Sequence, residues 1–269
     1  MKYDPVKNRI GRIVSRSVLL RKIFYSLLDI LLLRAWHVRK ILKRFASENV
    51  NARNILDAGS GFGQYAWRIW KINKKWNVLG IEIKEEQVHD CNSFISKTKA
   101  AAKVSFMLAD LTVYREDNHY DLILSVDVME HIEDDIAVFE NFYTSMRRGG
   151  WLVISSPSDR GGSDVHADGD RSFIDEHVRD GYGMDEIRQK LESAGFSKIQ
   201  ASYTYGRPGS LSWMISMKYP VLMLNFSGIL AILLPFYYIL VMPLVLILNY
   251  LDVRLNHDEG TGLLVVAKK

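Results

Sequence analysis

The sequence predicts an α/β protein built on a doubly wound parallel sheet, and three observations support this prediction. From Arg53 onward, short apolar runs alternate with segments of helical periodicity. The runs are apolar nearly throughout, as expected for strands that are covered by helices on both faces. A glycine-rich turn follows the first run, at the strand-to-helix junction where such sheets bind ligands.

Six strands are predicted in the body of the chain. In order they are NILDAG, WNVLGIEI, KVSFMLAD, YDLILSVD, GGWLVISSP and SKIQASYTYG. Four helices are predicted between them, with the sequences QYAWRIWKIN, KEEQVHDCNSFISKTKA, EDDIAVFENFYTSM and MDEIRQKLESAGF. The third helix repeats Ile136, Phe139, Phe142 and Tyr143 at helical spacing, and the fourth ends at Gly195, a residue type that commonly terminates helices.

The charge of the chain is divided unevenly. Residues 1–46 contain twelve Lys or Arg and two acidic residues, so they carry +10 and the remainder carries −6. A basic arm on an acidic body predicts an anionic partner, either lipid headgroups or nucleic acid. We expect lipid and no nucleic acid, because the arm lacks the interleaved aromatic residues of single-strand binders. The single Cys91 excludes an intramolecular disulfide and a cysteine-based zinc site, and it fits a reducing cytoplasm.

The residues that follow the predicted strands suit an adenosine-containing ligand. DAGSGFG follows the first strand, and its three glycines allow positive φ and close backbone approach. Glu82 follows the second strand, where a carboxylate can accept hydrogen bonds from both ribose hydroxyls. A nicotinamide dinucleotide is an alternative on the first motif alone, because Gly61, Gly63 and Ala66 satisfy the G-x-G-x-x-G/A spacing. The third and fourth strands are followed by Asp110, Leu111, Ser125 and Asp127.

Five segments resemble, in order, the successive motifs of class I S-adenosylmethionine-dependent methyltransferases: ILDAGSGFGQ, GIEI, LADL, YDLILSVDVMEHI and RRGGWLVISSP. The resemblance covers roughly residues 50–206 and again the last ten. It implies a methyltransferase with S-adenosylmethionine as its cofactor. It also implies a seven-stranded sheet whose last strand, here GTGLLVVAKK, is antiparallel to its neighbour.

The resemblance further implies a role for each matching residue. Asp57 and the glycine loop would hold the methionine portion of the cofactor, and Glu82 the ribose. Ile83, Asp110 and Leu111 would contact the adenine, and residues 125–127 would form the floor below the sulfonium. The implied cofactor-binding residues are Asp57, Gly59, Ser60, Gly61, Gly63, Glu82, Ile83, Asp110, Leu111, Ser125 and Asp127.

Methyl transfer often requires a base that removes a proton from the acceptor. Three histidines near the predicted strand ends are candidates for this catalytic role: His131, His166 and His177. A surface or structural histidine is the alternative for each of them. Asp127, Glu130 and His131 also share one face of a helical turn and would suit a divalent cation, but we expect no metal because many relatives with this string use none.

Residues Tyr219–Leu251 contain no charged side chain, which is typical of a membrane segment. The predicted sixth and seventh strands join the same sheet, so the chain must leave and return on one side. Two full spans and a turn need about 36 residues, and this stretch has 33. We therefore predict a re-entrant or in-plane helical hairpin broken near Pro235, with two tight spans as the alternative. Pro235 and Pro243 are both expected to break a helix.

The N-terminal arm carries an apolar helical stripe: Leu20, Ile23, Phe24, Leu27, Leu28 and Leu31. Basic residues flank it on both sides, as in helices that lie on anionic lipid. The alternative is a lid that packs on the sheet domain, since a stripe does not identify what covers it.

The predicted organisation has four parts. They are the basic arm (1–46), the methyltransferase core (47–206), a hydrophobic membrane-associated hairpin (207–257) and the final core strand (258–269). We expect a methyltransferase at the cytoplasmic face of a membrane that O-methylates a hydrophobic lipid, quinone or polyketide-like phenol. Two alternatives remain. One is a membrane-anchored pseudo-methyltransferase that serves as a scaffold, and the other is an enzyme for a soluble small molecule whose hairpin forms a homodimer interface.

Overall fold

The computed structural model describes residues 17–161 and 178–269, and its centre is a seven-stranded sheet. The strands are β1 (Asn54–Ala58), β2 (Asn77–Glu82), β3 (Val104–Leu108), β4 (Tyr120–Val126), β5 (Met146–Pro157), β6 (Ser197–Thr204) and β7 (Gly262–Lys268). Their order is β3-β2-β1-β4-β5-β7-β6. Strands β1 to β5 are parallel, and β7 is antiparallel to both β5 and β6. The predicted fold class is therefore confirmed, including the antiparallel last strand.

Helices precede, separate and follow these strands. They are α1 (Val18–Leu31), α2 (Leu33–Glu48), α3 (Gln64–Ile72), α4 (Glu85–Ser96), α5 (Asp135–Ser145), α6 (Met184–Ser193), α7 (Arg207–Trp213), α8 (Tyr219–Phe226) and α9 (Leu234–Arg254). The strand order reverses between β1 and β4, because β2 and β3 lie on one side and β5 on the other. The carboxyl ends of the strands at such a reversal form a ligand-binding crevice.

The hydrophobic core consists of two layers, one on each face of the sheet. In the first layer the Phe45 ring of α2 lies 5.7 Å from the ring of Trp76 and 5.6 Å from that of Trp151, measured between centroids. In the second layer Phe139 and Tyr182 pack with α5 and α6 against the other face. Since Phe45 is fully buried, α2 is part of the core layer.

Residues 207–254 form two helical limbs between β6 and β7, and we call this element the apolar hairpin. The first limb comprises α7, a π-helical turn at Met214–Lys218 and α8, and the second limb is α9. The base of the hairpin is polar and buried, with Ser212 donating a hydrogen bond of 2.6 Å to Asn249 Oδ1. The rest of α9 is largely exposed, since only 11% of its most apolar 18-residue stretch is buried within the protein. Within the described residues, α9 is the one helix that is long and apolar enough to cross a membrane, with a mean hydropathy of 1.9.

The two prolines of the hairpin behave differently. Pro235 lies in the first turn of α9, where the missing N–H has no helical partner to lose. Pro243 lies inside α9 and does not end it, so our expectation that both prolines break a helix is wrong for Pro243. The helix is 21 residues long, and its residues before and after Pro243 supply the remaining hydrogen bonds. Neighbouring helices can satisfy the backbone group that the proline leaves unpaired.

A buried carboxylate fixes the base of the hairpin to the sheet domain. Asp252 of α9 is fully buried and accepts a hydrogen bond of 2.8 Å from His37 Nε2 of α2. The backbone N–H groups of Tyr205 and Gly209 donate to the same carboxylate at 3.2 and 3.0 Å. His257 Nε2 lies 3.2 Å from its second oxygen. Asp252 thus joins α2, the end of β6 and both limbs of the hairpin.

We expect Asp252→Ala to destabilise the protein by about 3–5 kcal/mol, because it leaves several buried donors without an acceptor. Each kcal/mol lowers the melting temperature of a domain of this size by roughly 2–4 °C, so thermal unfolding of the detergent-purified protein measures the effect. Asp258→Ala is the control, since Asp258 is exposed six residues later. Equal melting temperatures for the two variants would contradict the role given to Asp252.

Candidate cofactor-binding site

The loop between β1 and α3 holds the three glycines in the left-handed region, with φ of +76° at Gly59, +51° at Gly61 and +77° at Gly63. A Cβ at Gly59 would lie 2.3 Å from the Val128 side chain, and one at Gly63 would lie 2.8 Å from the Phe106 ring. A Cβ at Gly61 would meet nothing within 4 Å. Gly59 and Gly63 are therefore required by packing, whereas Gly61 leaves its backbone open to an approaching ligand.

The carboxylate of Glu82, at the end of β2, is tied to this loop. Its Oε2 accepts a hydrogen bond of 2.9 Å from the Gly61 N–H. Its Oε1 accepts from the N–H groups of Ile83 and Lys84 at 3.0 and 3.1 Å. Glu82 is buried, and the side chain of Ile83 next to it is exposed. The loop and the end of β2 thus present one acidic group and one apolar surface side by side.

Asp57 lies beneath the loop in β1 and is buried. Its Oδ2 accepts a hydrogen bond of 2.8 Å from the Ala66 N–H in the first turn of α3. The pKa of this carboxyl is raised to about 7, chiefly by burial, with the Ala66 hydrogen bond lowering it and the negative charge of Glu82 raising it. A cationic ligand in the crevice would favour its ionised form.

The ends of β3 and β4 supply the remaining predicted residues. Asp110 Oδ1 accepts hydrogen bonds of 2.8 Å from both the N–H and the hydroxyl of Thr112. Leu111 is buried in the second core layer. Ser125 is fully buried in β4, and Asp127 follows it with φ of +51°. Asp127 forms an ion pair with Arg34 of α2.

The structure therefore gathers the implied cofactor-binding residues at one edge of the sheet, the carboxyl ends of β1 to β4. Two hydroxyls at this edge, Ser60 Oγ and Ser125 Oγ, are buried without a hydrogen-bond partner among the described residues. Buried polar atoms are usually paired, so these two are suited to a bound polar molecule. The open backbone at Gly61, the acid at Glu82 and these hydroxyls fit S-adenosylmethionine.

Of the three histidines predicted as candidate bases, one lies within the described residues. His131 ends a 3₁₀ turn at Met129–His131 and is exposed near the end of β4. His166 and His177 lie outside the described residues, so their role stays a prediction. Among the residues that the structure describes, no three His, Cys, Asp or Glu side chains converge on a common point where a metal ion could bind.

Sequence reasoning missed a group of side chains beside the predicted site, and we call it the Arg34 cluster: Arg34, Tyr65, Asp127, Glu130 and Tyr205. The Arg34 N–H donates a hydrogen bond of 3.1 Å to the Tyr205 hydroxyl. Tyr65 Oη and Glu130 Oε2 are buried without a partner among the described residues. Tyr65 follows the glycine loop by two residues, which was the available signal, whereas Arg34 and Tyr205 come from distant segments that only the fold brings together.

Two of these side chains have strongly shifted pKa values. The pKa of Glu130 is raised to about 8, chiefly by burial and then by the nearby Asp127 carboxylate, while Arg34 and Arg179 lower it. Burial also raises the pKa of the Tyr65 hydroxyl, against the lowering effect of the Arg34 charge. Near neutral pH the cluster therefore holds a neutral tyrosine and a largely protonated Glu130 around the Arg34–Asp127 pair.

Helix α1 packs against the outer side of the glycine loop. Arg21 is buried and donates hydrogen bonds of 2.9 Å to the Phe62 carbonyl and 3.1 Å to the Asp90 carbonyl. The Tyr25 hydroxyl donates to the same Phe62 carbonyl. Leu20, Ile23 and Leu27, three members of the predicted stripe, are exposed. Helix α1 thus contacts the sheet domain through Arg21, Tyr25 and the partly buried Phe24, and it leaves other apolar side chains outward.

The sheet order, the antiparallel β7 and the glycine loop define the fold of class I S-adenosylmethionine-dependent methyltransferases. A profile of the methyltransferase-domain family matches residues 33–201. This match covers more than half of the chain, and the chain belongs to that family.

Individual relatives are more distant. Phosphoethanolamine N-methyltransferase 2 of Caenorhabditis elegans is 24% identical over 170 residues, which cover 60% of this chain and 36% of that protein. A ubiquinone biosynthesis O-methyltransferase of Hydrogenovibrio crunogenus is 22% identical over 117 residues, covering 44% of this chain and 47% of that protein. The chain thus matches less than half the length of each of these relatives. The solved structure of Haemonchus contortus phosphoethanolamine N-methyltransferase 2 with S-adenosyl-L-methionine has a similar fold, with a TM-score of 0.58 at 18% identity, over 91% of this chain and 60% of that one.

The raised pKa of Asp57 predicts a pH-dependent stability for the ligand-free protein. Because its folded pKa of about 7 exceeds the ordinary value of 3.8, its contribution is present below about pH 4 and is lost as the pH rises through 7. The shift corresponds to about 4 kcal/mol. We expect Asp57→Asn to reduce the fall in melting temperature between pH 5 and pH 8. An unchanged fall in the variant would show that Asp57 is ionised throughout this range.

Proposed function

We propose that the protein transfers the methyl group of S-adenosylmethionine to a hydroxyl of a hydrophobic small molecule that resides in a membrane, and that it works at the cytoplasmic face. The single observation that supports this proposal best is the position of the apolar hairpin. Its polar base is joined through Asp252 to α2 and to the end of β6. Arg34 and Tyr205, two members of the cluster beside the cofactor site, belong to these same segments.

The cofactor supplies a methyl carbon that is activated by a positively charged sulfur. In this chain Glu82 would hold the ribose hydroxyls, and Asp57 would face the cationic methionine portion. Gly61 allows close backbone approach, and Ser60 and Ser125 offer unpaired hydroxyls. The chemistry left to the protein is alignment of the acceptor with the methyl carbon and removal of one proton.

The path by which an acceptor reaches the site is apolar. A small cavity lies between the α1–α2 corner and the first limb of the hairpin, and Leu31, Leu33, Tyr205 and Trp213 are among its lining residues. Trp213 and the α1 side chains Leu20, Ile23, Leu27 and Ile30 are exposed. The outward apolar side chains of α1 thus lead toward the hairpin, and Tyr205 lies between this surface and Arg34. An acceptor dissolved in lipid can approach along this surface without crossing water.

The length of the hairpin favours insertion into one leaflet over two full spans. Val245 is the first buried residue of α9 after its start at Leu234, so about 17 Å of the helix extends beyond the base at 1.5 Å per residue. A bilayer has a hydrocarbon core of about 30 Å. Near the tip, the hydroxyls of Tyr237 and Tyr238 donate hydrogen bonds to the Ile215 and Ser216 carbonyls at 2.7 and 2.8 Å. These polar groups are therefore paired within the hairpin, as lipid surroundings require.

The relatives are named for methylation of different acceptor molecules, on nitrogen in one case and on oxygen in the other. The Hydrogenovibrio relative is named for O-methylation in ubiquinone biosynthesis, and the Caenorhabditis relative for N-methylation of phosphoethanolamine. We favour O-methylation of a hydrophobic acceptor because of the apolar approach to the site. A soluble acceptor with the hairpin as a dimer interface, and a scaffold without activity, are the alternatives that the following two experiments separate.

Calorimetric titration of the detergent-purified protein tests the cofactor. We expect S-adenosylmethionine and S-adenosylhomocysteine to bind, and Glu82→Gln to weaken both by at least about tenfold, because hydrogen bonds to a charged group contribute about 1.5–3 kcal/mol. Glu85→Gln is the matched control, since Glu85 is exposed at the start of α4. Failure of the native protein to bind either compound would overturn the methyltransferase proposal and favour the scaffold.

Flotation with liposomes tests the membrane. We expect the protein to float with vesicles, more completely with anionic than with neutral lipid at low salt because of its basic arm. Leu240→Asp at the exposed part of α9 should reduce flotation about tenfold or more, because burying a charge in hydrocarbon is costly. Val113→Asp is the control, since Val113 is equally exposed on the sheet domain. Absence of flotation together with a stable dimer would favour the soluble-acceptor alternative.

A further inference from the structure

Two buried oxygen atoms in the Arg34 cluster indicate where the methyl acceptor binds. Building on the proposed function, we propose that Tyr65 and Glu130 form the acceptor site and that they hold an uncharged hydroxyl group, a phenol or an alcohol. The site lies between the start of α3 and the turn that follows β4.

The proposal rests on two buried side-chain oxygen atoms that lack hydrogen-bond partners. Tyr65 Oη and Glu130 Oε2 are both buried, and neither has a hydrogen-bond partner among the described residues. Leaving a buried polar group unpaired costs about 1–3 kcal/mol. The charges of Arg34 and Asp127, which form one ion pair, act on both groups, so both lie near that pair. A hydroxyl donates one hydrogen bond and accepts others, so one such group can pair with both side chains.

The position of the pair assigns it to the acceptor. Ser60 and Ser125, the other two unpaired hydroxyls of the site, lie in the glycine loop and in β4, where the family's cofactor binds. Tyr65 lies within electrostatic range of Tyr205, which lines the cavity at the base of the apolar hairpin. Tyr65 is therefore near both Asp57, a predicted cofactor residue, and Tyr205, which lines the cavity at the hairpin base.

The charges around the pair select an uncharged group. Arg34 is already paired with Asp127, and Arg179 is paired with Asp135. Burial holds the pKa of Glu130 near 8, so it is largely protonated at neutral pH. Because both arginines are paired with carboxylates, the cluster lacks the surplus positive charge that a phosphate needs. While Glu130 is protonated, the cluster also lacks the surplus negative charge that an ammonium needs.

The charged and titratable groups that face Glu130 come from several elements. They are Asp127 from the turn after β4, Arg34 from α2, and Arg179 and Tyr182 from the segment before α6. Since Arg34 and Arg179 are both cations, they keep an ionised Glu130 accessible at mildly alkaline pH.

The proton balance of methyl transfer is complete with these groups. With Glu130 ionised, the acceptor oxygen would form a bond to the methyl carbon as the bond between that carbon and sulfur breaks, and the hydroxyl proton would pass to the Glu130 carboxylate. The products are a methyl ether, S-adenosylhomocysteine and protonated Glu130. The positive charge of the sulfonium and the negative charge of the carboxylate disappear together, so the net charge is unchanged.

Calorimetry with three probes that share an octyl chain tests the site in the full-length protein saturated with S-adenosylhomocysteine. The probes are 4-octylphenol, octyl phosphate and octylamine, which differ in the head group and in its charge. We expect 4-octylphenol to bind at least about tenfold more tightly than the other two. Tyr65→Phe and Glu130→Gln should each weaken it about tenfold, equivalent to about 1.4 kcal/mol, without changing the affinity for S-adenosylhomocysteine.

Tyr143→Phe and Glu140→Gln are the matched controls, because both residues belong to α5 and Glu140 is exposed there. They should leave 4-octylphenol binding unchanged. Tighter binding of octyl phosphate or octylamine would overturn the assignment of an uncharged acceptor. Equal binding of 4-octylphenol to the native protein and both site variants, or no binding at all while S-adenosylhomocysteine binds, would show that Tyr65 and Glu130 are not the acceptor site. If S-adenosylhomocysteine itself does not bind, the proposed function fails instead.

Discussion

The buried carboxylate of Asp252 is the interaction on which the relation between the parts of this protein depends. β6 and β7 are neighbours in the sheet, so the chain that leaves one must return beside it. Asp252 lies where these chain directions meet, and it accepts hydrogen bonds from His37 of α2 and from the backbone of Tyr205 and Gly209. One fully buried acceptor thus fixes the apolar hairpin, the N-terminal helices and the sheet in a single arrangement.

That arrangement has a consequence for the site. Because α2 is held against the base of the hairpin, its first turn brings Arg34 to the end of β4, where Arg34 pairs with Asp127. The implied cofactor-binding residues lie at this same edge of the sheet. Tyr65 Oη and Glu130 Oε2, near the Arg34–Asp127 pair, are buried without a hydrogen-bond partner among the described residues. In the function that we propose, this site would join a water-soluble cofactor to an acceptor dissolved in lipid.

Much of the fold followed from local patterns. Continuous apolar strands that alternate with helices require a covered parallel sheet, and each predicted strand has a counterpart in the structure. The location of the implied cofactor-binding residues was also predictable, because each lies near the carboxyl end of a strand or just after it, and parallel strands end at one edge. Other features were beyond this reasoning. Pro243 inside α9 and the packing of α1 through Arg21 and Tyr25 depend on which surfaces meet.

The sequence by itself determined the fold class, the order of the strands' motifs and the uncharged stretch before β7, because periodicity and strand-end chemistry are local properties. The tertiary structure decided which distant residues share a site. Arg34 and Tyr205 are 171 positions apart and form a hydrogen bond, and His37 contacts Asp252 across 215 positions. The local sequence around these four residues does not indicate the two contacts. They arise only when the sheet forms and the hairpin returns to it.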